Sequence, residues 1–244
     1  MRDDGKHELA TVFQRIDLGD RVSVEPAART TVEGFADTIV TRALGQLPGA
    51  WHVKIEKHVP VAAGLGGGSS DAATALKLAA AQLDAPPELH PIAVAVGADV
   101  PFFLYDGPQL GSGDGSQLEP LDLPQDFAIV LLLPHGEEKQ STKAVYDAFD
   151  ARNGAEGFDE RLARLRAALA TVRRPRDLAA LPPNDLASSP HVQSLLDAGA
   201  FRADVSGAGP ALYGLFNRIA DAERAQRSLR RLGRTFVTVP AWYG

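Results

Sequence analysis

No cysteine occurs anywhere in the 244 residues. That excludes disulfide bonds, a thiol nucleophile and any thiolate-held metal, and it fits a cytoplasmic protein. A basic excess is missing too. Twenty-five Lys and Arg stand against 31 Asp and Glu, a net charge of −6, whereas a nucleic-acid-binding surface would be basic. No apolar run reaches the length of a membrane span, and the opening "MRDDGKHEL" carries no apolar signal-peptide core. No internal repeat or low-complexity tract is visible. None of the six histidines stands at metal-ligand spacing to another. What is present is ordinary for a globular protein: 45% hydrophobic and 23% charged residues, in a chain long enough for one large domain or two modest ones.

Along the chain, Asp3-Asp4-Gly5 is a hairpin-turn signal, and "ELATVFQRIDLGDRVSVE" after it reads as one or two strands. Residues from about Ala36 to Leu47 suit a helix. In "WHVKIEKHV", Trp51, Val53, Ile55 and Val59 alternate with His52, Lys54, Glu56 and His58, which predicts a half-buried strand. Pro60 ends it, a glycine loop follows, and Asp71 to Leu83 reads as a helix. A second helix should stop at Gly97, followed by a turn at Asp99 and a short apolar strand. "GSGDGS" (Gly111 to Ser116) reads as a flexible turn, and the Pro, Asp and Leu of Leu118 to Gln125 as a joint between halves. Beyond it, "FAIVLLL" fits a buried strand. Helices are expected near Ser141–Ala151, Phe158–Val172, Pro190–Ala198 and Ala220–Leu232, with Ser189 as an N-cap before a proline at the first helical position. "FRADVS", "ALYGLF" and "TFVTV" are strand candidates of an antiparallel sheet. The class is α+β.

The densest chemistry lies in "VPVAAGLGGGSSDAATALKLAAAQL", Val59 to Leu83. Strand, glycine loop and helix together make an anion site. A helix's first turn has unpaired N–H groups and a partial positive charge, and glycine lets a polyphosphate approach the backbone. Ser69 and Ser70 add hydroxyls for a phosphate oxygen or a metal ion. A Walker A loop is excluded because no lysine stands here, and the dinucleotide pattern starting at Gly64 would need glycine where Ser69 is. A loop serving only close helix–strand packing is the competing reading.

"PVAAGLGGGSSDAA" resembles the ATP-binding motif of the GHMP kinases, and the triple glycine before Ser-Ser-Asp-Ala-Ala is typical of their diphosphocytidyl-methylerythritol kinase branch. "DGKHELATVFQRIDLGD", "GADVPFFL", "NDLASS" and "VSGAGPALYGLF" resemble further signatures of that branch, in the same order. The resemblance implies a two-domain α+β fold, divided here into residues 1–125 and 126–244, with the active site in the cleft between domains. It implies transfer of phosphate from ATP, with Mg²⁺, to the 2-hydroxyl of the methylerythritol moiety in non-mevalonate isoprenoid synthesis. The partner is then a small molecule, a cytidine diphosphate sugar-alcohol, and neither a nucleic acid nor a membrane.

By the same resemblance Pro60, Val61, Ala62, Ala63, Gly64, Leu65, Gly66, Gly67, Gly68, Ser69 and Ser70 wrap the ATP phosphates. Asp99 matches the catalytic aspartate. His7 matches a residue that recognises cytosine, and Tyr146 stands about where an aromatic stacks on that ring. Ser206 to Gly209 form a second glycine-rich turn near the cleft. Two features depart from the family. Its first-strand lysine motif has no counterpart upstream of the Asp-Gly-x-His turn, which leaves a non-catalytic nucleotide-binding module as the alternative. Lys6 stands where tyrosine is usual. Stacking on a base is worth about 1–3 kcal/mol, so this exchange implies substrate binding weaker by roughly tenfold.

Overall fold

A computed structural model describes residues 7–35, 38–136 and 141–241. The Asp3–Gly5 turn and Lys6 lie outside the described residues. In chain order the first half runs β1 (Leu9–Phe13), β2 (Arg21–Pro26), β3 (Thr31–Glu33), α1 (Thr38–Leu44), β4 (Trp51–Glu56), α2 (Gly67–Ala80), α3 (Leu89–Val96), β5 (Gln109–Gly113) and β6 (Gln117–Pro120). The second half runs β7 (Ala128–Pro134), α4 (Thr142–Ala151), α5 (Phe158–Leu169), α6 (His191–Asp197), β8 (Arg202–Val205), β9 (Leu212–Phe216), α7 (Ile219–Leu229) and β10 (Gly233–Thr238).

Three sheets follow from these strands, ordered β1-β5-β6, β2-β4-β3 and β10-β7-β9-β8. β4 shows the expected alternation. Trp51, Val53 and Ile55 are buried while Lys54 and Glu56 face out, because successive side chains of a strand point to opposite faces. The buried face of β4 packs with Leu44, Ala72, Leu76 and Val100 in one core. β7 is buried along almost its whole length, between β10 and β9 and in antiparallel register with both. Ala222, Ala225 and Leu229 of α7 pack against it. A third cluster joins Leu110 of β5 to Leu123, Phe127, Ile129 and Leu131, which ties the first sheet to the last.

Four expectations are corrected. The helix expected from Asp71 begins at Gly67, so half of the glycine and serine stretch is its first turn; residues that are poor helix formers in the interior are tolerated at an end. The apolar run after Asp99 forms a 3₁₀ turn, Pro101–Leu104, and not a strand. Pro101 sits at its first position, where a missing N–H costs nothing. The "GSGDGS" segment is a turn only in its second half, where residues 114–116 join β5 to β6. Gly111 and Gly113 lie within β5, opposite Thr11 and Leu9 of β1, and a methyl group on Gly111 would collide with the Phe13 ring. Leu118 and Glu119, expected in the joint, pair with Gly111 and Leu110 as part of β6. A smaller shift is at Ser189: α6 starts at His191 with Pro190 as its cap residue, although Ser189 Oγ still accepts from the His191 N–H at 3.3 Å.

Candidate active site

The glycine loop leaves β4 through Lys57 and returns as α2. Ala62, Gly64 and Gly66 all take left-handed backbone conformations, with φ of 58°, 77° and 68°. This sequence of turns brings the chain to the helix with its N–H groups first. α2 has no side-chain cap. Ser70 N–H is the first to find a backbone acceptor, Gly66 O at 2.9 Å, so no described residue accepts from the N–H groups of Gly67, Gly68 and Ser69. A fourteen-residue helix whose first N–H groups have no acceptor among the described residues has the chemistry to hold an anion. Val61 at the loop's tip is 57% exposed.

The loop is moulded by the other half of the chain. Ala211 N–H donates to Ala63 O at 3.0 Å, and Ser206 Oγ donates to Gly64 O at 3.0 Å. A methyl group on Gly64 would lie 2.5 Å from Gly209 O, so only glycine fits between the two turns. Asn184, within the "NDLASS" signature, explains why that motif accompanies the second turn. Its side-chain amide donates to Val205 O at 3.0 Å and Gly207 O at 2.7 Å, its own N–H donates to Asp204 Oδ2, and its Oδ1 accepts from the Leu186 N–H.

Beneath the loop lies an ion triad that the sequence reading missed. Lys57 Nζ donates to Asp20 Oδ2 and, at 2.8 Å, to Asp71 Oδ2. The carboxylate side chains are 2% and 1% exposed. Asp20 Oδ1 also accepts from the backbone N–H groups of His58 and Val59, at 2.6 and 2.8 Å, which fixes the turn where strand becomes loop. Burial opposes the charge on Asp20, but Lys57 and those two amides outweigh it and hold its pKa below the ordinary value. Burial likewise opposes the charge on Lys57, and the two carboxylates outweigh it and raise its pKa. For Asp71 burial wins over Lys57, and its carboxyl is pushed up to about 6.

Of the remaining predicted residues, Asp99 is followed by a turn that touches the loop, and His7 and Tyr146 pair with each other. Gly66 abuts the Phe103 ring, which a methyl group there would reach at 3.1 Å, and Phe103 belongs to the 3₁₀ turn that follows Asp99. Burial first, then the negative charges of Asp99 and Asp185, raise the pKa of the Tyr146 phenol. His7 stacks on Tyr146 with centroids 4.5 Å apart and planes at 27°. The two rings therefore touch each other and leave no gap for a third ring between them. Arg152, in the turn after α4, donates to Asp185 O and Leu186 O at 2.6 and 2.9 Å, and Arg161 pairs with Asp185 at 2.8 Å. The end of α4, Asp185 and the Asn184 turn thus form one framework. Among the described residues no group of three His, Asp or Glu could hold a metal ion, and no helix is long and apolar enough to cross a membrane.

This geometry agrees with relatives of known name. Residues 30–107 match the GHMP kinases N terminal domain and residues 189–235 the GHMP kinases C terminal family. The chain is 32% identical over 252 residues to 4-diphosphocytidyl-2-C-methyl-D-erythritol kinase of Novosphingobium aromaticivorans, covering 93% of this chain and 82% of that one. It is 36% identical to the enzyme of the same name from Chlorobium chlorochromatii, covering 97% and 90%. A crystal structure of 4-(cytidine 5'-diphospho)-2C-methyl-D-erythritol kinase superposes with a TM-score of 0.76 at 31% identity, over 99% of this chain and 93% of that one. A mevalonate kinase structure, at 11% identity and a TM-score of 0.73, shares the fold. By its loop, its second turn and its relatives, the chain belongs to the GHMP kinases, in the 4-diphosphocytidyl-2-C-methyl-D-erythritol kinase family.

Proposed function

We propose that the chain transfers the terminal phosphoryl group of ATP to the 2-hydroxyl of 4-diphosphocytidyl-2-C-methyl-D-erythritol, in the cytoplasm, as a step of non-mevalonate isoprenoid synthesis. The observation that carries this reading is the uncapped first turn of α2, with three donors unpaired beside the segment bearing Asp99. The division into residues 1–125 and 126–244 is part of the proposal, with the glycine loop on one side and Tyr146 on the other.

In this reading Pro60–Ser70 form the cradle, and the N–H groups of Gly67, Gly68 and Ser69 bind phosphate oxygens. Phosphoryl transfer is mostly positioning and charge neutralisation, so oriented backbone donors and the positive end of a helix supply much of the stabilisation. Asp99 accepts or orients the proton of the attacking hydroxyl, a role worth about 10²–10⁴-fold in rate. Tyr146 and His7 take the cytosine ring. Mg²⁺, when bound, neutralises charge on the phosphates.

The test is ADP release from purified protein with ATP and Mg²⁺. We expect release that requires the diphosphocytidyl substrate. Tight ATP binding without turnover would favour the non-catalytic nucleotide-binding module, and failure to bind ATP would overturn both.

A further inference from the structure

One contact at the base site is unused by the reading above. His7 precedes β1 and Asp150 is the penultimate residue of α4, yet His7 Nε2 lies 2.7 Å from Asp150 Oδ1. Their side chains are 17% and 39% exposed. The imidazole also stacks on Tyr146 and meets the Phe149 ring edge-on, with centroids 6.1 Å apart. Tyr146, Phe149 and Asp150 all belong to α4, and together they hold the ring by a face, an edge and one nitrogen.

An ionised carboxylate only accepts hydrogen bonds, so the proton in this contact belongs to Nε2. In a neutral imidazole Nδ1 is then a bare acceptor, and no described residue donates to it. Its lone pair lies in the ring plane. A ligand donor that meets it in that plane lies beside the imidazole, and a flat ring carrying that donor runs nearly parallel to Tyr146, whose plane is 27° from that of His7. The contact of the two aromatic rings leaves no room for a base between them, but an edge-on approach to His7 needs none.

We propose that Asp150 is the positioning residue of the base site: it holds His7 by Nε2 and so presents Nδ1 as an acceptor for the exocyclic amine of a 4-aminopyrimidine. A 4-oxo ring would bring a carbonyl oxygen against the same lone pair and be disfavoured. This rests on the reading that His7 and Tyr146 take the base. The carboxylate matters for its chemistry and not only its shape. An amide at position 150 has an NH₂ group as well as an oxygen, so it also supports the tautomer that carries its proton on Nδ1.

The experiment compares Asp150→Ala, Asp150→Asn and His7→Ala at pH 8, with the cytidine and uridine forms of the diphosphate substrate and with ATP. We expect both Asp150 variants to raise KM for the cytidine substrate by about tenfold, and to narrow the preference for cytidine over uridine, most in Asp150→Asn. The KM for ATP and kcat should stay within about twofold. ¹⁵N spectra of the wild type should show His7 protonated at Nε2 alone, and Asp150→Asn should show a mixture. If His7→Ala weakens substrate binding while both Asp150 variants keep the wild-type KM, preference and tautomer, the positioning role is wrong. If His7→Ala itself leaves substrate binding unchanged, the reading of the base site falls, and this inference with it. A parallel loss of ATP affinity or of melting temperature in the Asp150 variants would reduce Asp150 to a structural residue.

Discussion

The hydroxyl of Ser206 donates to the carbonyl oxygen of Gly64 across 142 positions of sequence, at 3.0 Å. With Ala211 N–H on Ala63 O, it makes the shape of the glycine loop a joint product of both halves of the chain.

Gly64→Ala should break that joint. The position needs a left-handed φ of 77°, and the added methyl group meets backbone at 2.5 Å, which no rotamer relieves. Strain of this kind costs about 1–3 kcal/mol, and we expect ATP affinity to fall by at least tenfold. Ser206→Ala loses one hydrogen bond, about 1 kcal/mol, and should be milder. Calorimetric titration with ATP orders the two, and equal effects would contradict the steric argument.

Lys57→Met should be severe for a different reason. It leaves the Asp20 and Asp71 carboxylates buried side by side with no cation, and breaking a buried pair from one side costs about 3–5 kcal/mol. Urea unfolding measures this. The double variant Lys57→Met with Asp71→Asn removes one of the orphaned charges, so it should recover part of the loss.

Asp71 gives a pH signature with a defined sign. Its folded pKa, about 6, lies above the ordinary 3.8, so the folded state binds the proton more tightly than the unfolded chain. Its contribution to stability is complete below pH 3.8 and is lost as pH rises through about 6. Asp20 has a lowered pKa and works in the opposite direction, so the wild-type curve alone mixes the two. The difference in melting temperature between Asp71→Asn and wild type isolates the first. It should move in favour of the variant from pH 4.5 to 6.5 and level off above that. A difference independent of pH would refute the assignment.

Asp99→Asn tests the proposed chemistry. We expect kcat to drop by about 10²–10⁴-fold while the dissociation constant for ATP stays within a few-fold. Single-turnover measurements separate the two. Undiminished phosphoryl transfer would remove Asp99 from the reaction.

The parts legible in the sequence were those written in consecutive residues. β4 announces itself by alternation, β7 by a continuous apolar run, and the glycine loop by a density of small residues that few other purposes require. The parts that stayed hidden are assembled from a distance. Asp20, Lys57 and Asp71 each read alone as a solvated charge, and nothing local says that strand, loop and helix bury them together. Asp150 looks like an exposed helix residue until His7 is brought to it. Gly111 reads as a turn because sequence cannot show the Phe13 ring for which it leaves room. The first turn of α2 is hidden because glycine and serine argue against helix, and only the chain's path through Ala62, Gly64 and Gly66 reverses that.

The handshake between Gly64 and the second turn also has a bearing on dissection. Residues 30–107 contain every atom of the glycine loop, yet a fragment cut there would hold the loop's letters without its mould. Ala63 and Gly64 would lose the donors that now fix their carbonyls. A piece that keeps the loop in this shape must reach at least to Ala211, so the loop is not a portable module to transplant onto another scaffold.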